Sequence, residues 1–312
     1  MNQVAVGVDI GGTTTKIALV TKEGEILEQM FFSTWQTRTE DDFYDFIWHS
    51  INELNDNLYE IVGIGIGAPS TNMQDGTIEN AANLPFKGIV RIVKNLNRIT
   101  NLPVYLVKDS FAAAYGEVKY GGAKDLTDFV FLTLGTGFGC AVFANGKPVL
   151  GMKGLAGELA HTRVNQESRE CGCGKEGCLE TFVSATGLKR TAINLMSTHL
   201  VDSKMRGYAP DTLTPKLIFE IAEQNDPLAT EVFRFTAQIL GEKLADIAAI
   251  FSPQAIFISG GLSGAKKYIL DDAKEHMEKN LLPFYKNLIK VQLSDLKINE
   301  ASLLGASSLV WV

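Results

Sequence analysis

With 312 residues, the chain is long enough for one large domain or two medium ones. Its 46% hydrophobic and 21% charged residues are typical of a globular protein, and a formal net charge of -7 disfavours nucleic acid as the main partner. An apolar run of about 18 residues, which a membrane span requires, does not occur. The N-terminal sequence lacks a basic region followed by an apolar core, so we expect no secretory signal and a cytoplasmic protein.

The first elements predicted along the chain form a β-meander. Val4–Ile10 is an apolar, β-branched strand, and the glycine pair Gly11-Gly12 follows it as a turn. Thr13–Val20 is predicted as the second strand, and a third begins at Glu25. Glycine at the first corner predicts a hairpin there.

The same plan returns in the middle of the chain. Phe129–Leu134 is a predicted strand, Gly135–Gly139 a glycine-rich turn and Cys140–Phe143 a strand. Asn145-Gly146 is a turn signal that leads into Lys147–Leu150. Two copies of one meander, far apart in the chain, predict a duplicated domain rather than a short repeat.

Alternating helices and strands follow each meander. The predicted helices are 40–54, 110–120, 215–223, 228–251 and 266–281, and the predicted strands are 60–67, 104–107 and 255–259. This alternation predicts an α/β protein with mixed sheets.

Three of the four cysteines lie close together after a histidine. His161, Cys171, Cys173 and Cys178 form the pattern H-x9-C-x-C-x4-C, which is a ligand set for a tetrahedral, structural Zn²⁺. Buried thiols or a disulfide are the alternative, although one intervening residue strains a disulfide and three cysteines cannot all pair. The glycines at 172, 174 and 177 allow the sharp turns that a metal loop needs.

Polar donors are concentrated at the first glycine turn. The segment Asp9–Lys16 reads D-I-G-G-T-T-T-K, with Gly11, Gly12, Thr13, Thr14 and Lys16 as candidate phosphate contacts. Asp9 ends its strand, where a carboxylate can bind Mg²⁺ directly or through water. A plain hairpin with polar residues is the alternative interpretation.

Two further glycine segments are candidate nucleotide contacts. Gly135, Thr136 and Gly137 mirror the first turn in the second copy, and Gly260-Gly261 ends a buried strand. Because G-x4-G-K-[ST] is absent from the sequence and no G-x-G-x-x-G leads into a helix, a P-loop protein and a Rossmann dehydrogenase are both disfavoured.

Together these motifs resemble the ROK family of sugar kinases, within the actin, hexokinase and Hsp70 superfamily. The resemblance runs over nearly the whole chain and rests on 9–16, Lys108-Asp109 before three alanines, 135–139, G-E-L-A-H at 157–161, C-G-C-G-K-E-G-C-L-E at 171–180, and 260–261. It implies two actin-like (ribonuclease H-like) domains with a cleft between them. The expected limits are 1–119, completed by a C-terminal helix at about 299–312, and 120–298.

The resemblance also implies ATP-dependent phosphorylation of a hexose or hexose derivative, with Mg²⁺ and a structural Zn²⁺. Taken from the residues alone, Asp109 is predicted to be a helix N-cap, but the family pattern makes it the catalytic base.

The implied sugar contacts are Asn83, Lys108, Asp109, Glu158, His161 and Glu180. From the residues alone, Asn83 is a turn residue and each glutamate a surface side chain. His161 can serve twice, with one ring nitrogen on zinc and the other toward a sugar hydroxyl. Family members are often dimers or tetramers, so a homo-oligomer is expected.

The chain departs from the family pattern beside the implied base. Lys108 and Phe111 stand where the family commonly has asparagines, and the loop Gly67–Ser70 also differs. Either the sugar is not glucose, with an acidic or modified substituent, or Lys108 points elsewhere. A sugar-responsive repressor is disfavoured, because a first strand beginning by Val4 leaves no room for a DNA-binding domain. A sugar-binding protein without catalysis is the remaining alternative.

Overall fold

The fold is described from a computed structural model of the chain. It describes residues 2–37, 39–81, 83–164, 168–265 and 267–311. Across these residues, none of the helices combines the length and the apolar character that crossing a membrane requires.

The strands and helices are as follows in chain order. The strands are β1 (Gln3–Ile10), β2 (Thr14–Val20), β3 (Ile26–Ser33), β4 (Glu60–Ala68), β5 (Thr71–Asn72), β6 (Thr77–Glu79), β7 (Ile89–Val90), β8 (Val104–Lys108), β9 (Phe129–Leu134), β10 (Phe138–Ala144), β11 (Lys147–Pro148), β12 (Ala255–Ser259) and β13 (Lys290–Leu293). The helices are α1 (Glu40–Asn55), α2 (Ile92–Ile99), α3 (Asp109–Tyr120), α4 (Glu180–Val183), α5 (Ala185–Thr198), α6 (Pro215–Ala222), α7 (Pro227–Phe251), α8 (Asp272–Asn280) and α9 (Ala301–Ser308).

The chain forms two compact units. Unit 1 comprises Met1–Leu126, Pro148–Ala156 and Ser294–Val312, and unit 2 comprises Thr127–Lys147 and Gly157–Leu293. The two domains predicted from the sequence, 1–119 with about 299–312 and 120–298, remain a proposal.

Unit 1 is built on a sheet with the strand order β3-β2-β1-β4-β8. The first three strands are antiparallel, whereas β1, β4 and β8 run parallel. The carboxyl ends of these parallel strands lie at one edge of the sheet, where ligands bind in open α/β sheets. A smaller sheet, β5-β6-β7, follows β4.

Helix α1 shows how local sequence and packing agree in unit 1. Thr39 caps it by accepting a hydrogen bond from the Asp42 amide, and acidic residues fill its first turn. The buried face carries Phe43, Ile47 and Ile51, which pack in the same core as the interior of β1. Burial of this apolar face, rather than intrinsic propensity, holds the helix on the sheet.

The C-terminal helix α9 belongs to unit 1 and packs against both the sheet and α3. Glycines make the approach possible. A Cβ added at Gly7 would lie 2.3 Å from the Leu303 carbonyl oxygen, and one at Gly305 would lie 1.6 Å from that of Ala112. These backbones are therefore in direct contact, and no side chain fits between them.

Unit 2 repeats the plan of unit 1. Its sheet has the order β11-β10-β9-β12-β13, with β9 and β10 antiparallel and β9, β12 and β13 parallel. The matching strand order confirms the duplication predicted from the two meanders. The α/β class with mixed sheets and flanking helices is confirmed as well.

Several predicted boundaries differ from the observed ones. Helix α3 begins at Asp109 rather than after it, so the prediction of Asp109 as the N-cap was wrong and Lys108 holds that position. Strand β8 pairs with β4 up to Lys108, opposite Ala68, so the extended conformation ends there. The helix predicted from 266 begins, within the described residues, as a π-helical turn at Lys267–Asp271 before α8.

Candidate active site

The carboxyl end of β1 carries the first acidic group of the site. Asp9 is paired across the sheet with Lys16 on β2 and with Gly67 on β4. The next parallel strand continues this row, since Gly67 is paired with Val107. The register therefore brings the predicted phosphate segment of β1 and β2 to the strand end that precedes Asp109.

Asp109 opens α3 directly above this edge. A Cβ at Gly67 would lie 2.9 Å from the Ala112 Cβ and 3.9 Å from the Asp109 Cα, so glycine at 67 allows the first turn of α3 to lie against the sheet. The Asp109 Oδ1 accepts a hydrogen bond of 2.7 Å from the Ser110 amide. A carboxylate at a helix N-terminus is stabilised in its ionised form by the helix dipole.

Burial raises the pKa of Asp9 to about 6, an effect that Lys16 opposes and Asp109 reinforces. The two carboxylates therefore interact, and their combined negative charge is only partly compensated by the Lys16 ammonium. Carboxylate oxygens are the ligands that Mg²⁺ prefers, and a divalent cation would relieve this repulsion. The donor set consequently fits a magnesium ion.

The first glycine turn is held from outside by two residues that sequence reasoning missed. The Thr34 hydroxyl donates to the Gly11 carbonyl at 2.8 Å, and the Trp35 indole N–H donates to the Gly12 carbonyl at 2.7 Å. The Thr34 amide donates to the Thr13 carbonyl. Both residues lie just after β3, and their distance of 23 residues from the turn explains why no local signal announced them.

Asn83 lies beside this turn. A Cβ at Gly12 would approach the Asn83 Cβ to 2.8 Å, so Gly12 admits the asparagine loop. The exposed Asn83 is thereby brought next to the segment that ends in Lys16. Within unit 1, the structure thus collects Asp9, Lys16, Asn83 and Asp109 around the sheet edge and its first turn.

The second glycine turn, between β9 and β10, is held by the corner between α4 and α5. The Ala185 amide donates to the Gly135 carbonyl at 2.9 Å, and the Thr186 hydroxyl donates to the Thr136 carbonyl at 3.1 Å. Sequence reasoning missed both residues. They fix the backbone of the turn from the side of α5.

Gly260 and Gly261 lie at the end of β12, which is parallel to β9. Gly260 has φ +96° and lies so close to β9 that an added Cβ would meet the Leu134 carbonyl oxygen at 2.5 Å. The structure therefore brings Gly260 to the beginning of the second turn. Gly261 is exposed and opens a short 3-10 helix.

The predicted zinc ligands form one cluster in unit 2. The ligand atoms of His161, Cys171, Cys173 and Cys178 all lie within 4.8 Å of one another. The Cys173 and Cys178 sulfurs are 3.7 Å apart, and the Cys171 sulfur is 3.6 Å from His161 Nδ1. A tetrahedral zinc with Zn–S of about 2.3 Å and Zn–N of about 2.0 Å requires separations of about 3.8 and 3.5 Å. The four donors therefore fit a closed tetrahedral site.

The loop around the cluster turns as the glycine pattern predicts at two positions. Gly174 and Gly177 have φ of +85° and +70°, whereas Gly172 is not in the left-handed region. The Cys171 amide donates to the Lys175 carbonyl, which closes the loop between the ligands. Burial is the main cause that raises the pKa of Cys178, with Cys173 and Cys171 as neighbours.

The second ring nitrogen of His161 points toward a carboxylate. His161 Nε2 lies 3.9 Å from Glu158 Oε2, while Nδ1 faces the thiols. Nε2 is therefore directed away from the thiols, and the double role of the histidine stays a prediction. On the other side of the cluster, Glu180 Oε1 lies 4.0 Å from the Cys171 sulfur, so both predicted glutamates border the Cys/His cluster.

Comparison with known proteins identifies the family. The chain matches the ROK family over residues 5–311. The chain belongs to the ROK family.

Relatives of this ROK protein are similar along its full length. It is 33% identical to a glucokinase of Halalkalibacterium halodurans, over 98% of this chain and 94% of that protein. It is 28% identical to an N-acetylmannosamine kinase of Escherichia fergusonii, over 97% of this chain and 96% of that protein. The crystal structure of a ROK family glucokinase from Streptomyces griseus, in complex with glucose and AMPPNP, superposes with a TM-score of 0.82 at 29% identity, and 98% of each chain is covered. The ROK protein described here is an ATP-dependent sugar kinase.

Proposed function

We propose that this kinase transfers the terminal phosphoryl group of ATP to a hydroxyl of a hexose or hexose derivative, with Asp109 as the catalytic base. The observation that carries the proposal is the meeting of Asp109, Asp9 and Lys16 at one edge of the unit 1 sheet. Phosphoryl transfer needs a carboxylate that orients the attacking hydroxyl and accepts its proton. Asp109 is the first residue of α3, where the helix dipole favours the ionised carboxylate that such a base requires.

The nucleotide contacts follow from the two glycine turns. Gly11, Gly12, Thr13, Thr14 and Lys16 would hold the phosphates in unit 1, with Asp9 facing the magnesium ion. Bound Mg²⁺ would neutralise charge on the phosphates as the transfer proceeds. Gly135, Thr136, Gly137, Gly260 and Gly261 would contact the nucleotide from unit 2.

The sugar contacts are proposed on the family pattern. Asn83, Lys108 and Asp109 in unit 1, and Glu158, His161 and Glu180 in unit 2, are the candidate partners of sugar hydroxyls. His161 also belongs to the proposed Zn²⁺ site with Cys171, Cys173 and Cys178, and the tetrahedral separations support this site. A metal there is structural, because four protein ligands leave no open position.

The compartment, the partners and the oligomeric state of the enzyme are also part of the proposal. Cysteines that are not paired in disulfides are typical of a reducing compartment, so we propose a cytoplasmic protein. Its partners would be a sugar and ATP, not nucleic acid or membrane, and it would assemble as a dimer or tetramer like many family members.

A sugar panel in a coupled ADP-release assay tests the proposal. The panel contains glucose and N-acetylmannosamine, which the names of the relatives suggest. It also contains acidic hexose derivatives, because Lys108 stands where the family commonly has an asparagine. We expect one class to release ADP above the no-sugar blank. Asp109→Asn should then lower kcat on the order of 10²-fold or more. Asp202→Asn, at an exposed position, is the matched control and should leave kcat unchanged.

A second candidate function would follow from a negative panel. Phe111, also at a family asparagine position, is fully buried in α3, so this position cannot contact a sugar. If wild-type protein binds a sugar but releases no ADP with any member of the panel, the kinase proposal fails. The chain would then be a sugar-binding protein without catalysis.

A further inference from the structure

Glu180 connects the second glycine turn with the loop that carries Cys171, Cys173 and Cys178, which we call the zinc loop. It is the first residue of α4 and follows the last predicted metal ligand, Cys178, by two positions. Its Oε2 accepts a hydrogen bond of 3.0 Å from the amide of Phe138, the first residue of β10. Its Oε1 lies 4.0 Å from the Cys171 sulfur. One partly buried carboxylate therefore contacts both structures.

Gly137 leaves the space that this carboxylate occupies. A Cβ added at Gly137 would lie 2.6 Å from Glu180 Oε2, well inside van der Waals contact. Glycine at 137 is thus needed for the approach of the carboxylate. This reason is independent of any ligand.

The hydrogen bond between Glu180 and Phe138 also limits which backbone amides of the turn are available to a nucleotide. The Phe138 amide is engaged by Glu180, and the Gly135 amide donates to the Gly137 carbonyl at 3.0 Å. Both amides are therefore used to fix the shape of the turn. An amide that is held by a carboxylate fixes the backbone strongly, because hydrogen bonds to charged groups are roughly twice as strong as neutral ones.

We infer that Glu180 is a positioning residue for the nucleotide, because it fixes the second glycine turn to the zinc loop through the Phe138 amide. This inference rests on the proposed function, in which the turn contacts ATP. It goes beyond the proposed sugar contact of Glu180, since it assigns the side chain to the nucleotide side of the reaction as well. The zinc loop would then support nucleotide binding and not only sugar binding.

A double-mutant cycle with Glu180→Ala and Gly137→Ala tests the inference. ADP binding is measured by calorimetry without sugar. Glu180→Ala removes the acceptor, and Gly137→Ala displaces it, so each should weaken ADP binding on the order of tenfold. In the double variant the added Cβ no longer meets a carboxylate. The double variant should therefore bind ADP no worse than either single variant.

Other outcomes of the cycle would overturn the inference. Effects that multiply in the double variant would mean that the two residues act independently, with the methyl group added at position 137 obstructing the nucleotide itself. Unchanged ADP binding in Glu180→Ala, with a raised KM for the sugar alone, would leave Glu180 as a sugar contact only.

Glu180→Gln is the conservative variant that separates the two roles. Its amide oxygen can still accept from the Phe138 amide, so ADP binding should stay within about threefold of wild type. The KM for the sugar should rise if the carboxylate also contacts a sugar hydroxyl. Loss of ADP binding in Glu180→Gln as large as in Glu180→Ala would contradict a role through this hydrogen bond.

Amide hydrogen exchange reports on the contact without any nucleotide. The Phe138 amide should exchange faster in Glu180→Ala than in wild type, and removal of metal by a chelator should have the same direction of effect. An unchanged exchange rate in Glu180→Ala would overturn the inference. If wild-type protein binds no ADP, the proposed function fails, whereas the exchange rates still decide whether Glu180 fixes the turn.

Discussion

At the scale of single residues, the site combines two carboxylates in different surroundings, one buried in the sheet and one at the start of a helix. Asp9 is drawn toward its neutral form by burial and by Asp109, while Lys16 favours its charge. Asp109, the proposed base, is the first residue of a helix, where the helix dipole favours the ionised form of a carboxylate. A buried carboxylate whose ionised form is destabilised in the absence of a cation is typical of functional sites. This destabilisation affects the protein only while no cation is bound.

The raised pKa of Asp9 predicts a pH dependence of stability. The folded protein holds the Asp9 proton up to about pH 6. The contribution of Asp9 to the free energy of unfolding is therefore fully present below about pH 4 and is lost as the pH rises through 6. Asp9→Asn cannot ionise and avoids this loss. In buffer without added magnesium, its free energy of unfolding should match wild type near pH 4. It should exceed wild type at pH 8 by up to about 3 kcal/mol, and by less to the extent that solvent screens the group.

Urea unfolding of both proteins at the two pH values measures this difference. Groups remote from position 9 titrate equally in both proteins and cancel in the comparison, whereas Lys16 and Asp109, which interact with Asp9, contribute to the difference. Asp202→Asn, which is exposed, serves as the control and should follow wild type at both pH values. A stabilisation of the same size at pH 4 and pH 8 would exclude ionisation of Asp9 as its cause.

At the scale of elements, the contact between α3 and α9 determines where the proposed base lies. Gly305 on α9 faces Ala112 and Gly116 on α3, and its Cβ position is 1.6 Å from the Ala112 oxygen. Because Asp109 is the first residue of α3, a displacement of this helix moves the carboxylate. Backbone contact in a helix pair therefore links core packing to catalysis.

Gly305→Ala should destabilise unit 1 by about 1 to 3 kcal/mol and lower kcat as well, because α9 must move away from α3. Alanine is the better helix former by about 1 kcal/mol, so an uncrowded position would show the opposite sign. Gly207→Ala is the control, since nothing lies within 4 Å of the added Cβ there. Thermal unfolding and steady-state kinetics measure both effects, and a Gly305→Ala protein more stable than wild type would refute the contact.

At the scale of the whole molecule, the sequence predicted what depends on local chemistry. Strands, glycine turns and the cluster of His161 with three cysteines follow from residue types at short spacing, and the two meanders already indicated the duplicated plan. Contacts between a side chain and a distant backbone group could not be predicted. The bond from Trp35 to the Gly12 carbonyl and the bond from Phe138 to Glu180 span 23 and 42 residues. The start of α3 was missed for a similar reason, since the pairing of β8 with β4 decides it.

The chain returns to unit 1 at its C-terminus, which predicts an unequal effect of one core substitution. Leu303 on α9 is fully buried and clusters with Ala18 and Val20 of β2. Leu303→Ala should cost about 2 to 5 kcal/mol, since it removes a buried side chain and leaves a cavity. If the two units are separate domains, this loss should appear in unit 1 alone.

Native-state hydrogen exchange locates the loss. In Leu303→Ala, amides of β1 and β2 should exchange faster, whereas those of β9 and β12 keep their wild-type rates, because each unit opens as its own cooperative body. Leu288→Ala, where the side chain is 68% exposed, is the control and should change neither set. Equal acceleration in both sheets would mean that the chain unfolds as one cooperative structure, and the proposed division into two domains would be wrong.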